Sequence, residues 1–411
     1  MLDVGIVGCG TAGAASALFL ARAGHRVTVY EAVAEPSAVG AGIMIQPTGM
    51  SVLARLGLLE GVVARGSVVE RLRCVTRRGR KVIDLAYRDV DPRTFGLGLH
   101  RGVLFETLFE AVRADASITL CCGVEIADLR RDGPKTFVVE EGGAELGPHD
   151  LVVAANGARS SLRDDARLTR RQEQYPWGAL WFIAEDAERA FDGELYQVVE
   201  GTHHMLGLLP SGLGPSGDTS RVSLFFSLRA DRVDAWRREG LGAFKELIVS
   251  IEPRAAPVVA QIHDIEQILF ARYWDIVMDR WHEDGLVFLG DAAHATSPQL
   301  GQGANLALMD AMAFADALEA HDSLDAGLRA YSTSRRHHLG YYQWATRMLT
   351  PFFQSDQAWL GWLRDAFMGV SCKMPYVRTR MIRTMCGLER GVLLADPLPI
   401  PTLPALPSGE R

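Results

Sequence analysis

Two short stretches hold most of the residues with chemistry to do. The first is Gly290-Asp291-Ala292-Ala293-His294, continuing to Pro298-Gln299-Leu300-Gly301-Gln302-Gly303-Ala304-Asn305. Asp291 follows the apolar run 286–289, which has the length of a strand covered on both faces. A carboxylate there stands at the carboxyl end of a parallel strand, where open α/β sheets bind their ligands. Gly301, Gly303 and Asn305 then open a helix predicted to reach Glu319, so free backbone N–H groups and a positive helix end face one point. A carboxylate suits a polyol and a helix N-terminus suits an anion. Their closeness calls for a large cofactor carrying both.

The second stretch is Gly8-Cys9-Gly10-Thr11-Ala12-Gly13. It sits between a predicted strand at 4–7 and a helix at 14–23, and a further strand at 26–31 ends in Glu31. This is a complete βαβ dinucleotide fingerprint. The glycines allow a tight turn and close backbone approach, the helix end takes a pyrophosphate, and Glu31 accepts the ribose hydroxyls. An acid at that position disfavours a 2′-phosphate, so NADP is not expected in this site. A third run, Ala155-Asn156-Gly157-Ala158-Arg159-Ser160-Ser161-Leu162-Arg163, follows a predicted strand at 151–154.

The elements between these stretches must position them. Gly40-Ala41-Gly42-Ile43-Met44 suggests backbone packed closely on something flat, or a plain loop, ahead of Gln46-Pro47 and a helix at 49–56. Residues 69–85 alternate around the turn 77–81 as a hairpin. Arg101 stands where a helix through Leu104, Leu108 and Val112 begins, either to neutralise a pyrophosphate or as a surface arginine. Strands are predicted at 118–124 and 137–141. From 175 to 273 the texture changes to strands at 179–184, 195–199, 203–209, 222–227 and 268–273, broken by one helix at 241–251. This predicts an antiparallel sheet inserted between the halves of a nucleotide domain; its aromatic residues Trp177, Trp181, Phe182, Tyr196, Phe225, Phe226 and Trp236 read mostly as core, with a face over a cofactor able to wall a substrate. The region 324–387 is helical, either packed on the domain or forming a dimer contact, and 396–411 is a proline-rich tail.

At 411 residues, 48% hydrophobic and 23% charged, the chain is an ordinary globular protein with room for two or three domains. A net charge of -7 gives no reason to expect nucleic acid or an anionic membrane as partner. The basic clusters 77–81 and 335–338 read as a solvated turn and a solvated helix end. None of the six cysteines has a Cys-x-x-Cys or zinc spacing, so reduced thiols, a cytoplasmic protein and no metal are expected. No signal peptide is read at the N-terminus. No uncharged run approaches the roughly 20 residues of a membrane span.

In order and spacing the three motifs resemble the group A FAD-dependent aromatic monooxygenases of the p-hydroxybenzoate hydroxylase type, nearest the urate and salicylate hydroxylase-type subgroup. The resemblance covers about residues 1–345. It implies a Rossmann-like FAD-binding domain (1–70, 98–168 and 275–323), an inserted β-sheet substrate domain (71–97 and 169–274) and C-terminal helices (324–395). It implies FAD against Gly8, Gly10, Ala12, Gly13, Glu31, Ala32, Met44, Arg101, Val124 and Asp291, with the turn Gly301, Gln302, Gly303, Ala304 and Asn305 at the flavin pyrimidine. NADPH or NADH would reduce FAD transiently, and O2 would form a C4a-hydroperoxyflavin that hydroxylates an aromatic small molecule. Pro298 and Gln299 would lie beside the ring, and His294 would support the turn. His204, His203 and Tyr196 are the candidates for a general base, with a structural role the alternative for each. One departure is Asn156, where the family usually has Asp; it bears on nicotinamide handling. A same-fold reductase, a halogenase (disfavoured because no Trp-x-Trp-x-Ile-Pro stretch is present) and a catalytically inactive FAD-binding protein are the alternatives. The oligomer expected is a monomer or homodimer.

Overall fold

A computed structural model of the chain describes residues 1–37, 40–163, 168–215, 217, 219–391 and 396–403. Of the predicted tail, the part beyond 403 lies outside the described residues. The chain begins β1 (Asp3–Val7), α1 (Thr11–Arg22), β2 (Arg26–Glu31), β3 (Gly42–Ile45), α2 (Pro47–Arg55), α3 (Leu59–Arg65), β4 (Ser67–Thr76), β5 (Lys81–Ala86), β6 (Gly96–His100) and α4 (Arg101–Ala114). It continues β7 (Ile118–Cys122), β8 (Ile126–Asp132), β9 (Lys135–Glu140), β10 (Glu145–His149), β11 (Leu151–Ala154), β12 (Thr169–Glu185), β13 (Gly193–Glu200), β14 (His204–Leu213) and β15 (Ser220–Arg229). Then come α5 (Val233–Ile251), α6 (Ala256–Ala260), β16 (Leu269–Met278), β17 (His282–Glu283), β18 (Leu286–Phe288), α7 (Asp291–His294), α8 (Gly303–Glu319), α9 (Leu324–Leu349), α10 (Ala358–Ser371) and α11 (Pro375–Met385).

Six strands form the nucleotide-type sheet in the order β17-β18-β11-β1-β2-β7, parallel except for β17. Its central strands are continuous apolar runs because helices cover both faces: Val152, Val153, Val287 and Phe288 are fully buried. Small residues let α1 approach closely. Ala14, Ala15 and Ala17 are buried, and α1 packs along α8. The ends of β1, β11 and β18 thereby bring all three sequence motifs to one edge. Strands β8, β9 and β10 form a separate antiparallel sheet.

The inserted layer is a nine-stranded sheet, β16-β12-β15-β14-β13-β4-β6-β3 with β5 also on β4. It is antiparallel except at one place, where β13 runs parallel to β4. One face packs on α5 and α6 through Leu180, Leu206, Leu224 and Phe226. The other face meets the C-terminal segment through Val199, Met205, Leu209, Phe353 and Met385.

Glycines curl this sheet over itself. A Cβ at Gly98 on β6 would collide with the carbonyl oxygen of Pro210 on β14, and one at Gly42 on β3 with the hydroxyls of Ser211 and Ser223. The close packing expected around Gly42 is therefore against the sheet's own serines. A Gly98→Ala substitution should cost about 1–3 kcal/mol through overpacking against backbone that cannot yield. Thermal melting that shows no loss of stability would contradict that contact.

Candidate functional site

The loop from β1 to α1 is shaped by contacts that exclude side chains. Gly8 has φ +97°, and a Cβ there would meet Ala155 and Asn156 at the end of β11. A Cβ at Gly13 would collide with the Gly8 carbonyl oxygen, so α1 starts tight against its own loop. Gly10 has open space beside it, and no side chain caps α1. The first N–H groups of α1 are therefore left without a side-chain partner beside open space, the arrangement that suits an anion. Glu31, half-buried at the end of β2, accepts from the backbone N–H of Cys9 at 2.8 Å and of Val33 at 3.0 Å. Ala32 is exposed beside it, and Val124 donates its N–H to the Glu31 carbonyl at 2.9 Å. Burial, and then the charge of Glu31, push the Cys9 thiol up to about 12, so it is an inert neighbour.

The second wall is the turn after β18. Gly290, at φ +60°, donates its N–H to Asp310 Oδ2 at 3.0 Å. Asp310 is fully buried on α8, hydrogen-bonded to His294 Nε2, and takes Arg335 Nε from α9 at 2.8 Å. Burial alone would raise its carboxyl, but His294, Arg335 and the Gly290 N–H outweigh it and hold Asp310 at about 2. Arg335 Nη1 reaches His338 Nδ1 at 2.6 Å, and His338 Nε2 lies 2.8 Å from the Gly387 carbonyl. Burial first, then Arg335, lower His338 to about 3, so it is neutral, accepting from Arg335 and donating to Gly387. The solvated helix end expected at 335–338 is thus corrected at Arg335 and His338, which are interior and partnered. His294 has the supporting role expected of it.

Asp291 is exposed on the groove and makes no hydrogen bond or ion pair among the described residues. Gly301 is left-handed, Gly303 has open space beside it, Ala304 is half-buried, and no side chain caps α8. The side chains of the turn serve the scaffold. Asn305 donates to the Met44 and Gly301 carbonyls at 3.0 and 3.1 Å, and accepts the Gln46 N–H at 2.8 Å. Gln302 donates to the Met385 carbonyl at 2.8 Å. Met44 is buried on β3, and Arg101 lies exposed at the start of α4 with no hydrogen-bond or ion-pair partner among the described residues.

Gln299 faces the nine-stranded sheet, with Nε2 4.0 Å from Met205 Sδ, and Pro298 beside it is exposed. On the Met205 face, Phe225 lies over Gly207 and tilts against Trp181 at 5.1 Å, and Trp181 Nε1 donates to the Tyr273 hydroxyl at 3.0 Å. Alternation puts His204 on the opposite face. There its ring lies 5.5 Å from Phe226 and its Nδ1 3.4 Å from Glu200, on the side covered by α5. Tyr196 is also on that side, under Arg254, and His203 is exposed against Trp177. None of the three stands with Gln299.

Arg163 and Tyr87 have no role that their sequence context suggests, and Asn156 only the nicotinamide-related one. Arg163, 1% exposed, donates to the Ala292 carbonyl at 2.6 Å and the Ala158 carbonyl at 2.7 Å, clamping the third motif to the first stretch. Tyr87 donates to Gln46 Oε1 at 2.7 Å beneath β3. Asn156 Oδ1 is buried, next to Gly8, without a hydrogen-bond partner among the described residues. The alternation Met205, Gly207, Leu209 could have revealed the wall; Tyr87 had no signal of its own.

Two uncapped helix ends, a half-buried acid at the end of β2, a free acid at the end of β18 and glycines with open space at the groove fit an elongated cofactor with a pyrophosphate and polyols. The family profile described as FAD binding domain matches residues 1–340. The chain is 30% identical over 344 residues to 6-methylpretetramide 4-monooxygenase of Streptomyces rimosus, covering 81% of this chain and 78% of that one. It is 26% identical over 384 residues to aurachin C monooxygenase/isomerase of Stigmatella aurantiaca, covering 89% and 94%. Among solved structures, Pseudomonas aeruginosa PqsL with 2-aminobenzoylacetate superposes with TM-score 0.75 at 25% identity, covering 88% and 98%.

The Asp310 network fixes an acid sensitivity. His338 titrates near 6.5 when unfolded and near 3 when folded, so the unfolded chain binds more protons between these values and stability falls as pH drops through that window. His338→Gln keeps a donor and an acceptor but cannot charge. Its melting temperature should decline less steeply than wild type from pH 6.5 towards 4, and parallel declines would count against the assignment.

Proposed function

The chain belongs to the FAD binding domain family and is an FAD-dependent aromatic monooxygenase; from that premise we propose that it uses NAD(P)H and O2, and that its own residues divide the work as follows. FAD lies in the groove, with Glu31 on the adenosine ribose, Gly8, Gly10, Ala12 and Gly13 along the pyrophosphate, and Ala32 and Val124 flanking the adenosine. Arg101, exposed and without partner, lies beside the pyrophosphate. Asp291 takes the ribityl hydroxyls. The main chain of Gly301 to Ala304 approaches the pyrimidine end, where the open N-terminus of α8 favours negative charge. Gln302 and Asn305 act one step back, by holding that turn to Met385, Met44 and Gln46. The six-stranded sheet and its helices form the cofactor part, and the nine-stranded sheet the substrate part.

Bound FAD supplies the hydride acceptance and oxygen activation that side chains cannot. The protein orients an electron-rich ring between the turn and the sheet and keeps water away. Pro298 and Gln299 form the near edge of that space, and Met205, Phe225, Trp181 and Tyr273 the far wall. These groups are apolar or neutral, which supports a flat, uncharged aromatic substrate over a small benzoate. His204 is not offered as the base, because it stands behind the sheet. The observation that carries the reading is the contact of Gln299 with Met205, which brings the substrate sheet onto the cofactor turn. All six cysteines are free, which supports a cytoplasmic setting; among the described residues no helix is long and apolar enough to cross a membrane.

Anaerobic mixing of the FAD-loaded protein with NADPH or NADH tests this. Flavin bleaching should accelerate when neutral phenols or hydroxyquinolines are present, more than with benzoates, and hydroxylated product should follow on admitting O2. Bleaching unaffected by every aromatic ligand would sink the proposal. Asp291→Ala should leave the fold intact and weaken FAD about 10- to 100-fold, the loss of a charge-assisted hydrogen bond. Unchanged FAD retention on dialysis would show the ribityl chain to be elsewhere.

A further inference from the structure

Helix α10 is built inside out. Its arginine, Arg364, is only 1% exposed and donates to the carbonyls of Gly201 and Phe352, both at 2.9 Å, and to Asp365 at 2.7 Å. Gly361 and Gly369 also face inward, where a Cβ would press on the backbone of Gly201 and of Lys81. The outward face and the turn that follows carry Trp359, Trp362, Phe367, Val370, Met374 and Tyr376, with exposures of 62, 73, 59, 59, 55 and 69%. Trp359, Trp362, Phe367 and Val370 follow one another at spacings of three to five residues along the outward side of the helix, and Met374 and Tyr376 continue it past the helix end. A surface helix ordinarily turns its arginine to water and its tryptophans to the core.

We propose that this stripe is the self-association face of a homodimer, in which the α10 helices of two copies pack on one another about a twofold axis. The six side chains expose on the order of 700 Å², near the roughly 800 Å² that each partner gives to a standard interface. That is above the about 300–600 Å² of the largest apolar patch on a typical monomer. A twofold interface must be self-complementary. The stripe meets that condition: from Trp359 to Tyr376 the charged residues are Arg364 and Asp365, bonded to each other, and Lys373 at one end. Two copies therefore meet without like charges at the centre, and an antiparallel pairing sets the Trp359 end of one helix against the Val370 end of its twin. Two exposed tryptophans on each copy are the residue type that dominates binding energy at such faces. None of the six residues belongs to the cofactor groove or the substrate wall, so the inference stands apart from the functional reading.

Sedimentation velocity of the full-length, FAD-loaded protein at low micromolar concentration tests it, with Trp359→Glu and Trp362→Glu as variants. Wild type should sediment at twice the 45.0 kDa chain mass. Each variant should sediment at the mass of one chain, with the dimer dissociation constant raised at least about 100-fold and thermal unfolding unchanged. A monomeric wild type overturns the proposal, as does a dimer that both substitutions leave intact. A monomer that floats with phosphatidylcholine vesicles, and ceases to with either variant, also overturns it by naming a bilayer as the occupant.

Discussion

A carboxylate with no exposed surface is tolerated only where charge and hydrogen bonds replace the water it has lost. Asp310 obtains that replacement from three directions: the Gly290 N–H, the ring of His294 and the guanidinium of Arg335. Two of the partners come from the turn after β18 and the third from α9. Gly290 ends the strand that presents Asp291, His294 closes the short helix after it, and Arg335 stands on α9. The carboxylate thus fixes a left-handed glycine at the cofactor groove to a helix that never reaches the groove. The chain of contacts runs on through His338 to the carbonyl of Gly387. The C-terminal segment is in this way tied to the turn that carries Gly290 and Asp291.

Asn305 does for the other side of the turn what Asp310 does for the first. Its amide spends both donor and acceptor capacity on Met44, Gly301 and Gln46. Through Gln46 the tie extends to Tyr87 beneath β3. Arg163 adds a third clamp, from the loop after β11 to the Ala292 carbonyl. His294, Gln302, Asn305 and Asp310 are thus spent on internal ties, while Asp291 is exposed and makes no hydrogen bond among the described residues.

The features legible in the sequence were those with local physical signatures. The strand, glycine loop, helix and acid around Gly8 and Glu31 lie within one short unit, and the run 286–305 carries its own period change. Long-range pairing was not legible. The strand at Ile126–Asp132 is largely polar, since its sheet lies at the surface, so alternation did not reveal it. Arg335 and His338 read as solvated because Asp310, which Arg335 meets, and the Gly387 carbonyl, which His338 meets, lie outside their local sequence. The facing of His204 depends on register in a sheet with irregularities near Gln174 and Pro210, and one step of register exchanges the two faces. The curl at Gly42 and Gly98 depends on what crosses above them, and no local pattern carries that.

The division of labour on the nine-stranded sheet has an evolutionary consequence. Met205, Phe225 and Trp181 project from strands whose own hydrogen bonds and reverse face are secured by α5 and α6, and they share no polar partner with Asp310, Asn305 or Arg163. Substitutions in that wall can alter the shape offered to a ring while leaving the cofactor floor undisturbed, because distant sites without common partners behave additively. A lineage built this way can drift from one aromatic compound to another by single steps, each passing through a protein that still folds and still holds its redox group.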